Sequence, residues 1–186
     1  MATQNSSALS IESQRLLLKI ARKAIESHLQ SRTSLTSRVA DVALFEKRGA
    51  FVSLHKAGKL RGCIGYLTSE HPLYQTVPEA AVAVATRDPR FEPVEIEEVA
   101  EIEIEISVLT PLERIESVDE IEINVHGLYI TFGKQAGLLL PQVATDHNLN
   151  RVQFLELTCR KAGLPSDALH NPELAIYVFG AQVFVE

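Results

Sequence analysis

The stretch AFVSLHKAGKLRGCIGYL, residues 50–67, has a counterpart further along the chain in LYITFGKQAGLLLP, residues 128–141. Phe51-Val52-Ser53-Leu54 answers to Tyr129-Ile130-Thr131-Phe132, and Lys56 and Leu60 answer to Lys134 and Leu138. Each stretch reads as two extended runs about a turn, the signature of a β-hairpin. Each is followed by a helical pattern and then a further strand. Two hairpin–helix–strand units in series confine the chain to the α+β class. The architecture expected is a curved, barrel-like antiparallel sheet shared by both units, with the helices packed outside.

Local signals fill in the elements. Ser10 is a good N-cap, with Glu12 in the first turn. An apolar stripe through Leu16, Leu17, Ile20, Ala21, Ala24 and Ile25 then predicts a helix over 11–30. Residues 1–9 read as a polar tail and 10–186 as one domain, with a larger and a smaller lobe and a cleft between them. In the first hairpin, strands over 50–55 and 59–67 are expected about a three-residue loop, Lys56-Ala57-Gly58. A two-residue turn would force Ala57 to a positive φ, which a Cβ resists. That register puts Val52, Leu54, Leu60 and Ile64 on an apolar face, and Ser53, His55, Arg61 and Cys63 on the other. PEAAVAVATRD then predicts a helix with Pro78 in its first turn, closed by the prolines of RDPRFEP. EIEIEISVL, 101–109, alternates as a half-buried strand. Residues 151–161 form a helix stopped by Gly163 and Pro165, and LAIYVFGAQVFV closes the chain as one long strand.

Bulk properties limit what the chain does. With 24 acidic against 18 basic side chains the net charge is −6, which opposes a nucleic-acid adaptor working through a broad basic face. No run of apolar residues approaches the ~18 needed to span a bilayer, and MATQNSSALSIESQ lacks the basic and apolar regions of a secretory leader. Cys63 and Cys159 fit neither a disulfide framework nor a zinc spacing, and reduced thiols in a cytoplasm are the expectation. No cofactor motif is present, and the six histidines, His28, His55, His71, His126, His147 and His170, show no ligand spacing.

Five motifs occur in order: LRGCIG (60–65), RDPRF (87–91), EISVLTP (105–111), GLLLPQVA (137–144) and KAGLP (161–165). Together they resemble the AMMECR family over residues 10–186. The resemblance implies an α+β fold of two similar units, in agreement with the reading above. It also implies a shared pathway with the Memo-like and radical-SAM proteins alongside which prokaryotic members are encoded. Where members often carry tryptophans, near the last helix and after the GLP turn, this chain has Leu149 and Leu169.

The candidate site residues are Arg61, Gly62, Cys63, Arg87, Asp88, Arg90 and Gln142. A thiol beside a cation is a potential nucleophile, although His55, opposite Lys59 in the expected register, lies about 13 Å along the strand and too far to serve as its base. The competing reading is a packed strand cysteine between glycines that admit a close neighbour. Arg61, Arg87 and Arg90 suit an anion clamp, since planar guanidinium forks match carboxylate and phosphate. The alternative is structural pairing of Arg61 with Asp88, Glu103 or Glu105. Gln142 either offers an amide to a cleft or caps a helix. Glu101, Glu103 and Glu105, about 7 Å apart, have the spacing of a glycosidase pair, but alternation with isoleucine is how a half-exposed strand is written. GCIG lies in a hairpin, unlike the GXXG loop of KH domains. Two functions follow. The first is a ligand- or partner-binding protein whose cleft, lined by LRGCIG and RDPRF, takes a small anion or a protein segment. The second is a cysteine-dependent enzyme with Cys63 as nucleophile.

Overall fold

A computed structural model describes residues 8–31, 39–165, 168–169, 171 and 173–186. Residues 1–7 of the expected tail, residues 32–38 and His170 lie outside the described residues. The chain divides into two compact units, residues 1–109 with 182–186, and residues 110–181.

In the first unit, helix α1 (Ile11–Leu29) starts where expected, with the Ser10 hydroxyl accepting the Ser13 N–H. Leu9, assigned to the tail, is instead 4% exposed. Its N–H and C=O are both held by the side-chain amide of Gln182, at 2.7 and 3.0 Å. Strands β1 (Ala50–Lys56) and β2 (Lys59–Tyr66) form the first hairpin, and helix α2 spans Leu73–Arg87. Pro78 therefore stands inside α2 rather than in its first turn. Burial of Leu73, Thr76 and Val77 in the preceding turns outweighs the backbone hydrogen bond that proline removes. Strand β3 (Ile102–Leu109) follows, its isoleucines turned into the core as the alternation requires.

The second unit opens with the three-residue strand β4 (Glu113–Ile115), which carries no sequence signal of its own. Strands β5 (Gly127–Phe132) and β6 (Gln135–Leu139) make the second hairpin. A short helix α3 (Pro141–Asp146) precedes helix α4 (Arg151–Lys161), whose capping box joins Asn150 and Gln153. Leu149 and Leu169 both pack, partly buried, against the core of this unit. The closing strand is not continuous. It breaks at Gly180 into β7 (Ala175–Phe179) and β8 (Ala181–Val185), which belong to different sheets. Thr110 fixes the break: its N–H donates to Gly180 O at 2.9 Å and its hydroxyl accepts the Gly180 N–H at 2.7 Å.

The α+β class and the antiparallel pairing hold, but the strands form two four-stranded sheets rather than one shared sheet. No closed barrel is found among the described residues. Strand order is β2-β1-β3-β8 in one sheet and β4-β7-β5-β6 in the other. Read from the hairpin outward, these orders correspond: β2, β1, β3 match β6, β5, β7. The outermost strand is exchanged, since β8 follows β7 in the chain and β4 follows β3. The repeat is therefore present in the topology.

The first hairpin departs from the expected register. Lys56 pairs with Lys59 across a two-residue turn, with Ala57 at φ 50° and Gly58 at φ 72°. The primed turn matches strand twist well enough to override the Cβ penalty at Ala57. A bulge then places Leu54 opposite Gly62 and His55 opposite Leu60, leaving Arg61 as the extra residue. Leu60 consequently leaves the apolar face assigned to it and is 44% exposed.

Candidate functional site

Cys63 lies on β2, an edge strand, opposite Ser53. Its pair is one of those in which the backbone groups turn away from the neighbouring strand, so its N–H and C=O face outward. The turn that ends α2 meets both of them. Asp88 Oδ2 accepts the Cys63 N–H at 2.8 Å, and Arg90 Nη2 donates to Cys63 O at 3.1 Å. Arg90 is itself fixed by Asp88, through Nε at 2.9 Å, Nη2 at 2.7 Å and its backbone N–H at 3.1 Å. Asp88 is 5% exposed. The fork of Arg90, then the Cys63 and Arg90 backbone donors, hold its carboxyl far below the usual carboxylate range against the opposing effect of burial. RDPRF and LRGCIG, distant in sequence, form one hydrogen-bonded unit that closes the sheet edge at Cys63.

The glycines beside the thiol have the close-approach role expected of them. A Cβ on Gly62 would lie 2.8 Å from Val84 Cγ2 of α2, and one on Gly65 would lie 2.3 Å from Ala50 O of β1. A helix and a neighbouring strand take the space that side chains would need.

Arg61 does not pair with Asp88, Glu103 or Glu105. It makes a two-pronged contact with Glu98, Nε to Oε1 at 2.9 Å and Nη2 to Oε2 at 3.0 Å. Glu98 sits on a short 3-10 helix, Ile96–Glu101, and also receives Lys56 at 3.4 Å. Arg61 lowers the Glu98 carboxyl from its ordinary value, with Lys56 adding to the effect. Glu98 carries no sequence signal of its own, because VEIEEVAE holds four glutamates with no local feature to single one out. The bulge at Arg61 also breaks the alternation that placed its side chain with the Cys63 thiol, and the two take separate partners.

The thiol is pushed up from its ordinary value by burial, against the pull of the Ser53 hydroxyl and Arg90. Asp88 and Glu105 push it further in the same direction. No imidazole is among these neighbours. Arg87 is exposed and makes no hydrogen bond or ion pair among the described residues; Arg90 has half its side chain in solvent and lies over the Phe91 ring at 5.4 Å. Gln142 stands half-buried in the first turn of α3, in the other unit. The cap position of α3 is Leu140, without a side-chain hydrogen bond. Among the described residues no group of three or more His, Cys, Asp or Glu is placed to hold a metal, and no helix is long and apolar enough to cross a membrane.

This is an α+β protein of two hairpin–helix–strand units, with a sheet edge sealed by an Asp–Arg turn. Comparison with known proteins gives the class a family. The AMMECR1 family model matches residues 18–184, and the chain belongs to that family. It is 46% identical over 186 residues to a protein of Methanothermobacter thermautotrophicus, with 96% of each chain covered. It is 43% identical to protein MK0488 of Methanopyrus kandleri, covering 96% of this chain and 90% of that one. The crystal structure of uncharacterized protein PH0010 from Pyrococcus horikoshii is similar with a TM-score of 0.87 and 38% identity, over 92% of this chain and 90% of that one.

Proposed function

We propose that the chain is a binding component whose recognition surface is the junction of LRGCIG and RDPRF. Its ligand is a small anion or an acidic protein segment, met by Arg87 and the solvent-facing side of Arg90, with Phe91 as the apolar neighbour. The observation that carries this reading is the pairing pattern. Arg61 is engaged by Glu98 and the inner side of Arg90 by Asp88, so the clamp narrows from three arginines to two. A thiol raised by burial, with no imidazole beside it, favours binding over a cysteine-dependent reaction. The family resemblance nominates the Memo-like and radical-SAM proteins as partners, and the two-lobed organisation with a cleft is part of the same proposal.

The test is co-purification of the tagged chain with those two proteins co-expressed, comparing wild type with Arg87→Glu. Arg87 is exposed and unpaired, so the exchange leaves the fold intact. Retention by wild type and loss in the variant is the expected result. Equal retention, or none in either, refutes this surface. Rapid alkylation of Cys63 in the folded protein at neutral pH would instead favour the enzyme.

A further inference from the structure

The sheet β4-β7-β5-β6 keeps its helices on one face. Leu128, Ile130 and Val178 turn toward α3 and α4, where they pack with Ala144 and Phe154. The residues that alternate with them face the other way. The register sets four of these in one line across the strands: Leu138 on β6, Tyr129 on β5, Tyr177 on β7 and Arg114 on β4. The line is about 14 Å long, three strand spacings of ~4.8 Å. Its two tyrosine rings stand 6.0 Å apart and are tilted by 41°. The next line on the same face holds Ala136, Thr131 and Ala175. A ridge of large side chains therefore borders a shelf of small ones.

The fold does not call for aromatic residues at this position. In each unit the hairpin carries a glycine against the following helix. A Cβ on Gly62 would lie 2.8 Å from Val84 of α2, and one on Gly137 would lie 2.5 Å from Thr158 O of α4. Gly62 pairs with Leu54, and Gly137 with Ile130. One residue before those partners, the first unit has Ser53 opposite Glu105 and the second has Tyr129 opposite Tyr177. The same scaffold position is thus built once with small and acidic side chains and once with a pair of half-buried tyrosines. Neither tyrosine hydroxyl makes a hydrogen bond among the described residues. A ring with its apolar body against the protein and its polar tip untethered is the kind enriched at interfaces.

What the ridge offers decides what it takes. Each hydroxyl has a proton to give, and Arg114, exposed and paired at the surface with Glu116 at 3.5 Å, has several. Neither line includes a carboxylate to receive the N–H groups of an ordinary extended segment. A run of prolines has carbonyls to be met and no N–H groups. In its polyproline II form it rises 3.1 Å per residue, so about five residues span the ridge. Neighbouring aromatic rings are what grip such segments, with the prolines set against them. Rings tilted by 41° leave a notch for a pyrrolidine rather than one plane for a flat base.

We infer that the sheet face turned away from α3 and α4 binds a proline-rich segment of a partner protein. The segment lies across the strands along Tyr129 and Tyr177, on the shelf of small residues, with an acidic side chain at Arg114. Its carbonyls accept the two hydroxyls, and its prolines fill the notch between the rings. This surface shares no residue with the LRGCIG–RDPRF junction, so the two readings stand or fall independently.

Fluorescence anisotropy on the full chain tests this with labelled hexaproline peptides carrying aspartate at one end or the other, which cover both directions of the segment. One of them is expected to saturate below about 1 mM protein. A Gly-Ser peptide of the same length and charge should bind at least about tenfold more weakly. Tyr129→Ala and Tyr177→Ala should each weaken binding about tenfold or more. Tyr129→Phe and Tyr177→Phe keep the ring and lose one hydroxyl, and should each weaken it about fivefold. Arg114→Gln should remove the preference for the aspartate peptide over its asparagine counterpart. The ring-proton resonances of Tyr129 and Tyr177 should shift when wild type is titrated, which locates the site even where a variant fails to fold. Failure of both peptides to saturate, equal binding of the Gly-Ser peptide, or resonance shifts that spare the two rings overturns the inference.

Discussion

Asp88 offers the sharpest test of the sealed edge. Its carboxylate accepts four hydrogen bonds, from the Cys63 N–H and from three donors of Arg90. Asp88→Ala strands the Cys63 N–H, a loss of ~1–3 kcal/mol for an unsatisfied buried donor. Arg90 has half its side chain in solvent and recovers water, so its share is small, about 1 kcal/mol. The total is about 2–4 kcal/mol. Asp88→Asn keeps an acceptor for Cys63 and gives up the charge, at ~1–2 kcal/mol. The carboxyl is held well below its ordinary value in the folded chain. Its contribution is therefore present above the unfolded value near ~3.9 and is lost as pH falls below it. The gap between wild type and Asp88→Asn should narrow from about pH 6 to about pH 3. Because the chain has two units, a single unfolding midpoint is a poor reporter; exchange of the Cys63 amide reads the edge directly. Asp88→Ala within ~0.5 kcal/mol of wild type, or an unchanged Cys63 amide, would show that the carboxylate is not what holds the turn to the strand.

Four further outcomes are expected. Gly137→Ala drives a methyl into the backbone of α4 and should cost about 2–3 kcal/mol, more than Gly62→Ala, which meets a valine methyl first; comparative urea denaturation ranks them. Ala57→Gly relieves a residue held at φ 50° and should raise stability by ~1 kcal/mol in the same assay. Iodoacetamide should label Cys63 slowly at neutral pH, with a midpoint above the free-thiol range of ~8.5, because burial raises the group. A fragment ending at Leu109 loses Phe184 from the core, the Gln182 amide that holds Leu9 and the Glu186 carboxylate that holds Arg22, and should melt well below the same unit in the full chain by circular dichroism.

Local chemistry made much of this fold legible. The N-cap at Ser10, the alternation of β3 and the bounds of α4 rest on periodicity and capping within a dozen residues, and they form where expected. What escaped depended on partners far away in sequence. The closing strand reads as one apolar run, and only the hydroxyl and N–H of Thr110, seventy residues earlier, reveal that Gly180 divides it. The bulge at Arg61 has no local signature, because it arises from a turn that tolerates a positive φ at Ala57. At the site, the sequence singled out Arg61, Gly62, Cys63, Asp88 and Arg90 but not their wiring. Asp88 sends its charge to Arg90 and the Cys63 backbone, while Arg61 finds a glutamate that nothing in the spacing distinguishes.

The two halves of the chain show why the repeat was faint in sequence yet firm in structure. What the halves share is geometric: a hairpin with a glycine where the following helix crosses it, then a strand on the far side of the hairpin. Gly62 and Gly137 each lie where the following helix crosses the hairpin and so form a matched pair in space, although matching Leu60 to Leu138 in sequence sets them out of step. The turns after the helices have gone separate ways. One became Asp88-Pro89-Arg90 and closes an edge; the other became Ala162-Gly163 and satisfies only its own helix end. Exchange of the outer strands follows the same logic, since each sheet needs a fourth strand but no side-chain identity to recruit it. A duplicated fold thus keeps the positions where backbones touch and is free to change the chemistry at every edge it exposes.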